Sequence, residues 1–326
     1  MIKYLWRHPV DVVHYLSYRI FLLVVQALPL EAALPYAEFW ARRMVHWTRR
    51  DFRQATKNLQ AAYPRMTEGE ARRVACRVYE HFSRAVVEMA VAHRLLRPAT
   101  VPNHVALRGT DVVRQVQAAG KGAIFVTAHL GVWEMFGLLM RDWGIKLVSV
   151  YRPARNPLMD RIIRRWRKSL GHTLVERDGA MPKLLRTLRR GGYIALLTDQ
   201  HAKRDGVWVP FFGRPASTTP APALLALRTG APIVTGYVRR LPGHYKFEAF
   251  LDEPIWAQPS GDRDADVRRI TEEISRRLER YIRLAPEQWL WMHRRWREVP
   301  PEVAESAGAA LLAPEVGDQS ACCAKS

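Results

Sequence analysis

Thr127-Ala-His-Leu-Gly-Val-Trp-Glu134 sets an imidazole five residues before a carboxylate. In a helix, residues five apart are turned about 140° from one another, so His129 and Glu134 would not share a face. Across a turn they can meet. With His129 on the loop after a strand, Glu134 in the first helical turn and Gly131 supplying the bend, the carboxylate reaches one imidazole nitrogen. A carboxylate there fixes the tautomer and leaves the other nitrogen as a base. Such a base takes a proton from a hydroxyl as its oxygen attacks an acyl thioester, and Glu134 stabilises the imidazolium that results. No serine or cysteine nucleophile stands beside the histidine, which favours direct attack over an acyl-enzyme. Taken alone, the pair also fits a structural histidine satisfied in the core. Zinc has no third ligand close by at a suitable spacing.

Other polar clusters lie farther along the chain. Tyr151-Arg-Pro-Ala-Arg-Asn-Pro157 comes after a second strand candidate and would bring Arg152 and Asn156 to the carboxyl edge of a sheet, where ligands bind. Glu176-Arg-Asp178, Thr198-Asp-Gln-His201 and Val209-Pro-Phe-Phe-Gly-Arg-Pro-Ala-Ser-Thr-Thr219 alternate polar groups with apolar turns. Phe211 and Phe212 can line an apolar trough for an acyl chain, or equally face the core beside a turn.

The elements that would position these residues are short apolar runs separated by amphipathic stretches. Strand candidates are 123–127, 145–151, 193–198, 232–238 and 245–251, and helical patterns cover about 132–143, 157–170, 180–190, 221–229 and 264–285. The alternation predicts an α/β fold, a mixed sheet covered by helices on both faces. Residues 1–100 read as helical, with Tyr4, Trp6, Tyr15, Tyr18, Phe39, Trp40 and Trp47 on repeating apolar positions. That texture suits a membrane-associating segment, and equally a stripe packed on the next domain. The expected organisation is this helical segment, an α/β domain over 101–300, and a disordered tail over 301–326 opened by Pro300-Pro301.

Ile20 to Leu30 is strongly apolar but bracketed by Arg19 and Glu31, short of the ~20 residues a span requires. An interfacial or buried amphipathic segment is the expectation, without a cleavable signal peptide. The net charge of +20 comes from 42 arginines and 9 lysines against 31 acids. It suits a nucleic acid, an anionic bilayer or a phosphorylated substrate. Three cysteines, Cys76, Cys322 and Cys323, form neither a disulfide framework nor a zinc spacing. In Cys323-Ala-Lys-Ser, Lys325 stands where a prenylation box needs an aliphatic residue.

The ordered blocks HLGVWE, YRPARNP, LTDQH, VPFFGRPASTT, LALRTGAPIV and PEQWLWMHRRWR, spread over about residues 5–298, resemble the lipid A biosynthesis acyltransferases, the lauroyl and myristoyl transferase family. The resemblance implies a glycerolipid-acyltransferase-like fold of the H-x4-D/E type with His129 and Glu134 catalytic, and no cofactor or metal. It implies acyl carrier protein thioesters as donors, a phosphorylated glucosamine disaccharide lipid as acceptor, and the cytoplasmic face of a bacterial inner membrane. Substrate binding is expected at Arg152, Asn156, Arg177, Asp199 and Thr218. His201 departs from the pattern, which usually has an acid there, and so bears on the acceptor site. Glycolipid acyltransferases acting on phosphatidylinositol mannosides with acyl-CoA share these blocks and are the nearest alternative. From another class, the basic and aromatic run His293-Arg-Arg-Trp-Arg297 fits nucleic-acid binding, though without a recognition motif. A non-catalytic membrane-surface scaffold is the third alternative.

Overall fold

The computed structural model describes residues 9–297 and 299–300. The expected tail over 301–326, with its two cysteines, and the aromatics Tyr4 and Trp6 lie outside the described residues.

Four helices open the described residues: α1 (Pro9–Ala27), α2 (Leu30–Trp47), α3 (Arg49–Ala62) and α4 (Glu68–Leu95). Pro29 separates the first two, while Pro35 sits inside α2, where it cannot donate the regular helix bond to the Glu31 carbonyl. A reciprocal capping box starts α4: Thr67 accepts from the Glu70 N–H, and the Glu70 carboxylate accepts from the Thr67 N–H. After α5 (Val101–His104) the chain alternates β1 (Val105–Arg108), α6 (Thr110–Ala118), β2 (Ala123–Thr127), α7 (Met135–Asp142), β3 (Leu147–Tyr151), α8 (Pro157–Ser169), β4 (His172–Glu176), α9 (Ala180–Arg189) and β5 (Tyr193–Leu197). The hairpin β6 (Val207–Phe211) and β7 (Arg214–Thr218) stands apart, followed by α10 (Ala221–Thr229), β8 (Ile233–Arg240), β9 (Phe247–Leu251) and α11 (Arg263–Leu284).

Seven strands form one sheet in the order β1-β9-β8-β2-β5-β3-β4. The block β8-β2-β5-β3-β4 is parallel, and β9 runs antiparallel to β8. The mixed sheet with helices on both faces is thus borne out. Alternation along each central strand divides the core in two. Ile124 and Val126, with Ile194, Leu196 and Ile233, pack beneath α3, the first half of α4, α9, α10 and α11. Phe125, with Ala123, Val234 and Val238, faces α6, α7 and the second half of α4. Helices α3 and α4 therefore belong to the same core as the sheet, whereas α1 and the start of α2 pack through a small separate cluster around Val25, Leu34 and Val87.

Four strands were not anticipated from the pattern, the first being the edge strand β1. β4 is an edge strand with mixed exposure, and the segment read as aromatic turns is the β6/β7 hairpin, where Pro210 faces Pro215. Proline lacks the ladder donor, which suits a short two-stranded ribbon and obscures it in sequence.

Candidate active site

His129 lies two residues beyond the end of β2, and Asp199 two residues beyond the end of its parallel neighbour β5. Thr127 and Leu197 are paired in register, so the two side chains leave equivalent positions on adjacent strands. The His129 ring donates from Nδ1 to Asp199 Oδ1 at 2.9 Å, and the His129 backbone N–H donates to Oδ2 at 2.8 Å. Trp289 Nε1 donates to the same Oδ2 at 2.7 Å. Asp199 is buried and its charge fully engaged; burial alone would raise its pKa, but the imidazole's charge and hydrogen bonds outweigh this and hold it at about 2. Burial likewise works against protonating His129, and the Asp199 carboxylate overcomes it, so the imidazole pKa is raised. His129 Nε2 has no hydrogen-bond partner among the described residues. The carboxylate on this histidine is therefore Asp199, a residue expected to bind substrate, and not Glu134.

Glu134 is the residue just before α7 and forms a forked ion pair with Arg167 of α8, whose Nε reaches its two carboxylate oxygens at 2.9 and 3.2 Å. It contributes to His129 through space, its negative charge favouring the imidazolium, while Arg167 opposes. Local spacing suggested a contact across the turn; in the structure Glu134 instead ties α7 to α8. Gly137, one turn into α7, makes room for the His172 ring of β4, which a Cβ there would meet at 2.2 Å.

The turn after His129 is fixed from the far end of the chain. Gly131 adopts a positive φ of 61°, and an added Cβ would lie 2.0 Å from the Val238 carbonyl. Its N–H donates to the Gln288 carbonyl at 2.9 Å, and the Leu290 N–H donates to the His129 carbonyl at 3.1 Å. Farther along, His293 Nε2 accepts from the His201 N–H at 3.1 Å. Burial lowers the His293 pKa to about 4, despite the opposing pull of Asp199, so that ring is neutral near pH 7. Buried Arg295 donates to the Ser217 carbonyl and to Thr218 Oγ1, and lies over the Phe211 ring at 4.9 Å. Sequence reasoning missed Trp289, Gln288 and Arg167 as site residues. Trp289 and Gln288 fall within a block already singled out, but no spacing reports a contact across ninety residues.

The remaining expected residues divide. Arg152 and Arg177 directly follow β3 and β4, at the same carboxyl edge as His129 and Asp199, and both are exposed. Asn156 instead caps α8, accepting from the Leu158 and Met159 N–H groups, and its amide donates to the Asp11 carbonyl of α1 at 2.9 Å. With both ends of its side chain occupied, Asn156 is a fastening of α1 to the body. Thr218 is buried against Arg295, away from solvent. Phe211 and Phe212 pack among Trp289, Trp291 and Trp296, the core-facing of the two readings. Since Arg295 and Trp296 point inward, the basic aromatic run is not a continuous nucleic-acid surface.

A buried carboxylate holding one nitrogen of an imidazole at the ligand-binding edge of a parallel sheet is an arrangement that can take a proton from a hydroxyl. Residues 2–298 match the family described as bacterial lipid A biosynthesis acyltransferase, and the chain belongs to that family of acyltransferases. It is 27% identical over 253 residues to the lipid A biosynthesis lauroyltransferase of Escherichia coli K12, covering 76% of this chain and 79% of that one. It is 30% identical over 197 residues to the phosphatidylinositol mannoside acyltransferase of Mycobacterium tuberculosis, 58% of each chain. Among solved structures, the 1-acyl-sn-glycerophosphate acyltransferase of Thermotoga maritima is similar with a TM-score of 0.36 at 13% identity, covering 83% of this chain and all of that one.

Proposed function

We propose that this acyltransferase moves a fatty acyl chain from an acyl carrier protein thioester to a hydroxyl of a phosphorylated glycolipid of the lipid A precursor type, with His129 as general base. The observation that carries the reading is the His129–Asp199 pair: Nδ1 is committed to a buried carboxylate, leaving Nε2 to take the acceptor proton. The hydroxyl oxygen attacks the thioester carbonyl, and the bond to sulfur breaks as the tetrahedral intermediate collapses. The imidazolium returns its proton to the departing thiolate. Asp199 stabilises the imidazolium directly, and Glu134 adds its negative charge from beside Arg167.

Acceptor recognition follows from strand order. Neighbouring strands are about 4.8 Å apart, so Arg152 stands roughly 10 Å and Arg177 roughly 14 Å along the edge from His129. An acceptor with its hydroxyl at His129 can reach these guanidiniums with a phosphate, which arginine takes as a planar fork. Acyl-CoA as donor and a mannoside lipid as acceptor form the second reading, favoured by the 30% identity to the mycobacterial enzyme.

The same reading puts the enzyme at the cytoplasmic face of the inner membrane, lying on the bilayer. By length and composition α1 is apolar enough to cross a membrane. However, Asp11 near its start meets Asn156 and Val25 near its end is buried in the α2/α4 cluster, about 21 Å away along the helix. Both ends thus touch the body, as they do in a helix lying in the interface. Outward it shows Val10, Val13, Leu16, Ile20 and Leu23, and α2 adds Phe39, Trp40, Met44 and Trp47. Beside α1, a cleft of about 360 Å³ against α8 has Arg19 and Arg165 at its rim, and Arg161, Arg164 and Lys168 continue the charge.

Purified enzyme given either thioester and a disaccharide lipid precursor tests the function, with the product mass reporting chain and acceptor. His129→Ala should lose at least about 100-fold in turnover while remaining folded. Near-normal turnover by that protein refutes the base, and transfer to no phosphorylated glycolipid refutes the substrate class.

A further inference from the structure

Beneath the site lies a charged cluster that the transfer chemistry leaves unused. His81 and Glu88, seven residues apart and so on one face of α4, are 3% and 0% exposed. Arg240, the last residue of β8, donates Nε to Glu88 Oε1 at 2.6 Å and Nη2 to Oε2. Its Nη1 meets His81 Nδ1. A guanidinium can only donate, so Nδ1 accepts and the His81 proton resides on Nε2. From there it donates to the Gly131 carbonyl at 3.1 Å. Burial, reinforced by the Arg240 charge, lowers the His81 pKa well below 6.5 and keeps the ring neutral.

Gly131's other polar group leads to the same arginine. Its N–H donates to the Gln288 carbonyl, and the Gln288 side chain is bonded twice to the Arg240 backbone, accepting at 2.8 Å and donating at 2.9 Å. Both backbone groups of the one residue that turns the chain after His129 are thus tied, through His81 and Gln288, to Arg240. Burying an ion pair and an imidazole is unfavourable, and apolar side chains could join α4 to β8 at lower cost. What apolar packing cannot supply is a directed donor to a particular carbonyl.

We infer that His81, held by Arg240 and Glu88, is a positioning residue that sets the Gly131 turn and so aims His129 Nε2 at the acceptor hydroxyl. The inference rests on His129 being the base. Misplacing a reacting group by about 1 Å can cost about 10²-fold in rate, so a modest shift of this turn is felt in turnover.

Two amide substitutions separate the contacts. Glutamine reaches as far as Nε2 and can both accept from Arg240 and donate to the Gly131 carbonyl; asparagine reaches only the Nδ1 position, so it serves Arg240 and leaves Gly131 free. His81→Asn should lower kcat by about 10- to 100-fold with KM for both substrates little changed. It should also move the acidic limb of the kcat/KM profile to lower pH, because a loosened His129 pairs less well with Asp199. The other charged or titratable groups around His129, namely Glu134 before α7, Arg167 on α8 and His293 in the C-terminal segment, are untouched by the substitution. His81→Gln should restore both kcat and the limb.

A folded His81→Asn enzyme with wild-type kcat and an unmoved limb overturns the proposal, as does a His81→Gln enzyme as impaired as His81→Asn. Should His81→Asn not fold, nitrogen NMR of histidine-labelled wild-type enzyme decides: His81 should remain the neutral Nε2–H tautomer across the activity range, and a proton on Nδ1 overturns the assignment. Measuring His129→Ala alongside keeps the two readings apart. An active His129→Ala protein removes the base itself, whereas an inactive one beside an unaffected His81→Asn removes only the positioning role.

Discussion

Asp199→Asn removes one charge and preserves shape, and the hydrogen bonds around the carboxylate decide which way the new amide turns. Two N–H groups, from the His129 backbone and Trp289, converge on Oδ2, while the ring N–H meets Oδ1. An amide offers one oxygen. Turned toward Oδ2's position it satisfies two donors and sets its NH2 against Nδ1; turned the other way it sets the NH2 against two N–H groups. Each buried donor left unsatisfied costs about 1–3 kcal/mol, so the first orientation wins. Nδ1 must then accept, the ring proton moves to Nε2, and the base is lost although the geometry survives. The corresponding exchange in a Ser-His-Asp triad lowers kcat about 10⁴-fold, and about 10³- to 10⁴-fold is expected here, roughly 4–5.5 kcal/mol. Steady-state transfer from a labelled thioester, with each substrate varied, should show the loss in kcat and little in KM. Thermal unfolding monitors the fold. A folded Asp199→Asn enzyme within tenfold of wild type refutes the tautomer argument.

Gly131→Ala forces a Cβ against the Val238 carbonyl at a positive φ; a loss of about 2 kcal/mol or more in stability is expected by chemical denaturation, together with activity. Arg152→Ala should weaken acceptor use more than donor use, with only partial rescue by Arg152→Lys, and an unchanged acceptor KM refutes the phosphate role. Reversing Arg164 and Lys168 to glutamate should weaken binding to vesicles containing anionic lipid at low salt, whereas Trp40→Ser with Trp47→Ser should weaken it at every salt concentration; co-sedimentation reads both. Below pH 6.5, where the stabilising proton on His129 is already bound, stability should fall on further acidification in two stages. His81 and His293 have folded pKa values below 6.5, so their contribution is present above that value and lost as pH drops, toward about 4 for His293. Asp199, held at about 2, adds a loss from near pH 4 downward. Unfolding temperatures measured from pH 8 to 3 test this, and His293→Gln should flatten the first stage.

The central strands were legible because buried parallel strands are continuous apolar runs, and 123–127 was read with its observed limits. His129 was legible as well, by its place after such a run. Its partner was not, because a spacing argument can propose only neighbours in sequence. It therefore chose Glu134 over a residue seventy positions away, and no sequence pattern states that β5 lies beside β2. One signal was available: Leu197-Thr198-Asp199 repeats Thr127-Ala128-His129 in placing a polar side chain two residues past an apolar strand. Asn156 and Thr218 illustrate the converse ambiguity. A polar residue near a strand end looks the same in sequence whether it meets a ligand or satisfies a helix terminus or a buried arginine.

The contacts made by Gln288, Leu290 and Trp289 also order events during synthesis. His129 and Asp199 leave the ribosome well before the indole that orients the carboxylate and the carbonyl that holds the turn. A nascent chain lacking residues beyond about 287 has His129, Asp199 and His81 but neither the Trp289 indole nor the Gln288 carbonyl. Completion of the site therefore waits on the last tryptophans to be made.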